Sequence, residues 1–147
     1  MNFHILALLI LSLITLFNAK GLYSQTFRVK TATISNGVDI YTEVFEYDYV
    51  DIKPEFPGGG NSLINFINSN RQYPEEAYHK GIEGRVTCAF IVHPDGKISH
   101  IQVLRGVEPS LNHEAMRIVS SMPDWIPGRL NDQAVPVRVV CCIPFRK

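Results

Sequence analysis

Residues 85–105 read RVTCAFIVHPDGKISHIQVLR, and this stretch decides the fold. From Arg85 to Val92 the chain alternates: Val86, Cys88, Phe90 and Val92 fall on one face, and Arg85, Thr87, Ala89 and Ile91 on the other, which is the period of a strand. His93-Pro94-Asp95-Gly96 makes a tight turn, because proline fixes φ and glycine accepts φ > 0. Lys97 to Arg105 then returns as the antiparallel partner.

Downstream, the spacing predicts a helix from about Ser110 to Met122, with Leu111, Ala115, Ile118 and Met122 at i, i+4, i+7 and i+11. Pro123 stops it. After the loop around Trp125, Pro127 and Gly128, a last strand is expected from Ala134 to Ile143. Upstream, Tyr73-Pro74 opens a helical turn that ends near Gly81, with the proline where its missing N–H costs nothing. Before it, Asn61 or Ser62 can cap a short helix through Asn70, with Leu63, Phe66 and Ile67 on one face. Pro54 to Gly60 can continue neither a helix nor a central strand. Further back, β-rich runs flank Asn36-Gly37, a strong two-residue turn signal, so Thr26 to Val50 reads as a hairpin arm. Its scattered acids, Glu43, Glu46, Asp48 and Asp51, read as a solvated face. The sum is an α+β fold: a three-stranded antiparallel sheet with two helices on one face, preceded by a β-hairpin arm and a short helix.

The 147 residues leave room for one domain plus appendages. Charge balances at 14 basic against 14 acidic residues. No basic stripe appears, which argues against nucleic acid, whose phosphates need clustered Lys and Arg. Ile5 to Phe17 carries no charge but is shorter than the ~20 apolar residues of a membrane span, which favours a signal peptide over a retained anchor. Cleavage is expected after Ser24, and the body is exported either way. The expected organisation is 1–24 as signal peptide or short anchor, 25–53 as hairpin arm and linker, and 54–147 as the domain, with its core over about 71–147. Three cysteines, Cys88, Cys141 and Cys142, fit no zinc spacing. They read as small core hydrophobes, and a disulfide of Cys88 with Cys141 or with Cys142 is the alternative.

The landmarks stand in one order that resembles a known family. Tyr73-Pro74, Ala77 and Gly81-Ile82-Glu83-Gly84-Arg85-Val86 look like the YPxxAxxxGxxGxV opening of TonB C-terminal domains. Asp95-Gly96-Lys97-Ile98 matches the family's DGxI hairpin. Leu111, Glu114-Ala115 and Val119 match its LxxEAxxxV helix. Met122-Pro123-x-Trp125-x-Pro127-Gly128 matches its MPxWxPG loop, while Val135, Val137 and Pro144 match the start and end of its closing strand. Pro54 to Gly59 resembles an extension found before the domain in one branch of the family. Asn131-Asp132 stands where the family often has an Asn-Gly turn.

The resemblance implies a periplasmic domain that binds the TonB box, a short extended peptide at the N-terminus of an outer-membrane transporter's plug, by strand addition. An edge strand offers unpaired N–H and C=O groups, so backbone pairing supplies affinity across varied sequences. Mapped here, the docking edge runs from Ala134 to Cys142 and centres on Val135, Val137, Arg138, Val139 and Val140, flanked by Tyr73 and Pro74. Trp125 and Phe90 are expected in the core. If the leader is retained, the resemblance also implies coupling to the ExbB–ExbD motor. The family's transducers have a long Pro- and Lys-rich spacer, whereas here no proline precedes Pro54. The alternative is a soluble periplasmic interaction or signalling module with the same fold and no motor coupling. Edge pairing also makes a homodimer plausible.

Catalysis is not expected. His79, His93, His100, His113 and Glu114 are the candidates, but no GxSxG, HExxH or phosphate loop accompanies them. No cofactor or metal is implied.

Overall fold

The computed structural model describes residues 26–33 and 39–147. The leader or anchor expected over 1–24 and the Asn36-Gly37 turn lie outside the described residues. The chain divides into two compact units, Met1–Phe45 and Glu46–Lys147.

In the first unit, β1 (Thr26–Thr33) pairs antiparallel with β2 (Asp39–Glu46), from Thr26↔Phe45 to Thr33↔Asp39, as the arm expected from sequence requires. Arg28 and Glu43 are register partners and their side chains meet at 3.5 Å. Both are exposed, so the pair orients the face more than it stabilises it.

The second unit opens with a single 3-10 turn, Tyr47–Tyr49. Its helices are α1 (Gly59–Asn70), α2 (Glu75–His79) and α3 (Pro109–Ser120). Its long strands are β3 (Gly84–Val92), β4 (Ile98–Arg105) and β7 (Val137–Phe145), in the order β7-β3-β4. A two-stranded ribbon, β5 (Arg129–Leu130) with β6 (Gln133–Ala134), stands beside them. β3 and β7 pair without interruption from Gly84↔Phe145 to Val92↔Val137. The β3–β4 ladder shifts register twice, and His100 at the second irregularity takes φ 52°.

The decisive turn is as read. His93 N–H donates to Lys97 O at 2.8 Å, Gly96 N–H donates to His93 O, and Asp95 Oδ1 accepts from Lys97 N–H. Val86, Cys88, Phe90 and Val92 all enter the core, with Leu111, Ala115, Ile118 and Val119 of α3, Ile67 of α1 and Ala77 of α2 against them. Leu63 and Phe66 pack on this core as their spacing predicts. Ala89 and Ile91, on the other face of β3, are buried as well.

Several boundaries differ from the sequence reading: α3 ends at Ser120 rather than Met122, β7 runs past Ile143 to Phe145, and three starts shift. α1 begins at Gly59, ahead of Asn61 and Ser62, because Gly58 and Gly59 adopt φ of 81° and 82°, which glycine tolerates without a Cβ clash. Ser62 Oγ donates back to Gly58 O instead of capping. α3 is capped by Glu108, whose carboxylate accepts from Ser110 N–H and Leu111 N–H, so Ser110 lies inside the first turn. The last strand begins at Val137, not Ala134. Pro136 has no N–H to give a ladder, and Val135 N–H donates to Gly128 O at 3.0 Å, which frees Gln133–Ala134 to pair with β5.

Glu114 shows why a carboxylate can sit in this core at 7% exposure. It accepts from Arg117 Nε at 2.7 Å, Arg117 Nη2 at 2.8 Å and Gln72 N–H at 2.7 Å, while Arg117 Nη2 also reaches Asn70 O. Burial pushes its pKa up, but the Arg117 fork and the Gln72 amide outweigh burial and hold it below the ordinary value. The pair clamps α3 to the connection between α1 and α2.

Candidate functional site

The Pro54–Gly59 segment and the loop after α3 hold each other. Ile52 and Arg129 exchange two backbone hydrogen bonds of 3.1 and 2.8 Å, and Glu55 and Ile126 exchange two of 3.0 and 2.8 Å. Asp51 Oδ2 accepts from Asn131 N–H at 2.7 Å. Asn131 and Asp132 turn the β5–β6 ribbon with φ of 49° and 63°, a conformation that Asn and Asp adopt more readily than other non-glycine residues. Gly128 is required where these segments cross, since a Cβ there would meet Val137 Cγ2 at 2.7 Å and Pro54 Cδ at 3.0 Å. The hairpin turn is tied in as well, with Trp125 N–H donating to Gly96 O at 2.8 Å.

This scaffold walls a cavity of about 840 Å³. One wall is Asp51 to Phe56, a second is Gly60, Leu63, Ile64 and Ile67 of α1, and a third is Val139 to Cys142 of β7. Val139 and Cys141 are buried and Val140 and Cys142 exposed, so the cavity reaches residues from both faces of this part of the strand. β3 pairs with the strand from Gly84↔Phe145 to Val92↔Val137. The rim is apolar and open: Ile52 is 51% exposed, Ile64 56% and Val140 51%. At the floor, Trp125 is 6% exposed and meets Phe56 and Phe90 edge-on at 5.7 and 5.3 Å. Its Nε1 is buried with no hydrogen-bond partner.

The structure gathers only part of the expected edge here. Val139 and Val140 line the cavity, together with Cys141 and Cys142. Val137 is fully buried against Gly128, Arg138 lies 3.7 Å from the Glu46 carboxylate, and Val135 precedes the strand. Tyr73 and Pro74 do not line the cavity. Tyr73 donates to Ile82 O and packs edge-on against Phe145, at the far end of β7, and Pro74 caps α2. Sequence reading missed the wall from Asp51 to Phe56, whose place depends on its bonds to Ile126 and Arg129. The family-like stretch Pro54 to Gly59 was the available signal.

The cysteines are free thiols. Cys88 and Cys141 are buried register partners, whereas Cys142 is exposed, opposite Thr87. Burial pushes the Cys88 thiol up to about 11 and Cys141 up to about 12. Among the histidines, His93 Nε2 and His100 Nδ1 both meet Ser99 Oγ, at 2.6 and 2.7 Å, a cluster the sequence did not signal. It sits on the hairpin and does not line the 840 Å³ cavity. Among the described residues no group of three or more His, Cys, Asp or Glu could hold a metal ion.

Residues 69–146 match the family model described as Gram-negative bacterial TonB protein C-terminal. Protein TonB of Helicobacter pylori strain J99 is 32% identical over 76 residues, which is 48% of this chain and 27% of that protein. The TonB of strain 26695 matches to the same extent. The solution structure of Helicobacter pylori TonB-CTD (residues 194-285) aligns at 25% identity with a TM-score of 0.43, covering 58% of this chain and 90% of that one. A longer form of the same domain aligns at 24% identity with a TM-score of 0.41, covering 62% of this chain and 88% of that one. The match thus spans about a quarter of the length of the curated relatives, 27% in each case.

Proposed function

The chain belongs to the family of Gram-negative bacterial TonB protein C-terminal domains, and on that premise we propose that it docks an extended peptide of an outer-membrane transporter along β7. The peptide enters the cavity as an added strand, and its backbone pairs with Val139 to Cys142. Its apolar side chains cover Ile52, Ile64 and Val140, while the unpartnered Trp125 Nε1 gives the occupant a buried donor. The protein then serves energy-dependent transport across the outer membrane from the periplasm, in place of any catalytic role. One observation carries the reading: four successive residues of β7 line a cavity whose rim exposes isoleucine and valine. Soluble proteins seldom leave such a rim without an occupant.

Trp125 is the chain's single tryptophan, so its fluorescence reports occupancy of the cavity. Titration with end-blocked peptides from the N-terminal segments of outer-membrane transporters should shift its emission saturably. Alkylation of Cys142 with a bulky maleimide should abolish the shift, since Cys142 lines the cavity and is exposed. If no transporter peptide binds, or if binding survives the alkylation, docking along β7 is wrong.

A further inference from the structure

The cavity does not end at Cys142. A second one, of about 420 Å³, is lined by Asn68, Arg71, Arg85, Cys142, Pro144 and Arg146, so the two share a residue and follow the same strand. Their chemistry differs sharply: isoleucine and valine rim the first, and three arginines stand around the second. Arg71 Nη1 donates to Pro144 O at 2.7 Å and to Asn68 Oδ1 at 3.2 Å, which brings its guanidinium from the end of α1 onto the strand. Arg85 stands opposite Pro144 in the β3–β7 register. Among the described residues none of the three arginines has an acidic side chain within ion-pair distance. Glu83, next to this end of the sheet, is engaged by Lys147 N–H at 2.7 Å and does not line the cavity. Three like charges around one space repel each other, and a carboxylate among them removes that repulsion and gains charge-assisted hydrogen bonds.

Resting on the docking reading above, we infer that this basic end of β7 is a subsite for an acidic side chain of the docked peptide, and that it fixes the peptide's register. The sign and position of the charge follow from the strand. Val140 and Pro144 are four residues apart, or about 13 Å at ~3.3 Å per residue. A peptide whose apolar residue covers Val140 therefore places a residue about four positions away among the arginines. An aspartate or glutamate there is held, and a lysine is repelled. Backbone pairing alone tolerates slippage by two residues at little cost, whereas a charge at one end does not.

The test uses the full chain and end-blocked transporter peptides, each paired with a form in which Asp becomes Asn and Glu becomes Gln. Blocking both termini leaves only side-chain carboxylates as anions. The acidic form should bind roughly five- to tenfold more tightly at low salt, with the advantage shrinking as ionic strength rises. Arg85→Gln with Arg146→Gln should erase the advantage and leave the melting temperature unchanged, because both side chains are exposed. Equal binding of the acidic and amide forms overturns the subsite and leaves docking standing. Absence of binding by either form overturns both. An advantage that persists in the double variant overturns the assignment to these arginines.

Discussion

Replacing Ile64 by alanine separates docking from folding. Ile64 lies on α1 at the rim of the large cavity and is 56% exposed. Fully burying an isoleucine is worth ~1.5–3 kcal/mol, and about half of that remains to be gained when a peptide covers it. Truncation to alanine should therefore cost roughly 0.8–1.5 kcal/mol of binding, a four- to twelvefold rise in Kd. The same change should not weaken the fold. Alanine is the better helix former by a few tenths of a kcal/mol, and exposed substitutions usually move stability by less than ~0.5 kcal/mol. Binding and stability thus move in opposite directions, which no general loss of structure can mimic. Trp125 fluorescence titration gives Kd for the two proteins, and urea unfolding followed by circular dichroism gives their stabilities. A Kd unchanged within twofold would refute the claim that peptides cover this rim. A parallel loss of stability would mean that Ile64 supports the core instead.

Other outcomes follow from the same geometry. Glu114→Gln keeps the shape but weakens the fork with Arg117, and should destabilise by ~2–3 kcal/mol at pH 7, measured by urea unfolding. Because the folded pKa of Glu114 lies below its unfolded value, its contribution is present above about pH 4.5 and is lost as pH falls through the folded pKa. The gap between the two proteins should close in that window, and a pH-independent gap would refute the ionic account. Gly96→Ala places a Cβ 2.3 Å from Trp125 O at φ 85°, and should cost ~2 kcal/mol or more in a thermal melt while broadening Trp125 emission. Iodoacetamide should label Cys142 first in the folded protein. Cys88 and Cys141, raised to about 11 and about 12 by burial, should react only after denaturant is added, as read by peptide mass.

Much of this fold is local, and local rules read it. Val86 to Val92 alternate, Pro94 and Gly96 make the turn, and Leu111, Ala115 and Ile118 recur at the helical period, so each element announces itself within ten or so residues. The shifts at α1 and β7 are also local, but they turn on competition: Gly58 and Gly59 let the helix start early, and Val135 gives its N–H to Gly128 rather than to a ladder. The candidate site is less legible. Sequence placed a docking edge on the last strand, and residues Val139 and Val140 do line the cavity. It put Tyr73 beside that edge, where the structure packs the ring against Phe145. By itself the sequence determined the strand, the hairpin and the family, because periodicity and turn chemistry are carried by neighbours in the chain. Only the tertiary structure decided that Asp51 to Phe56 walls the groove, since four backbone bonds to Ile126 and Arg129, more than seventy residues away, put it there. The same holds for Arg71, Arg85 and Arg146, which gather at one end of β7 because helix packing and strand register, not sequence spacing, bring them together.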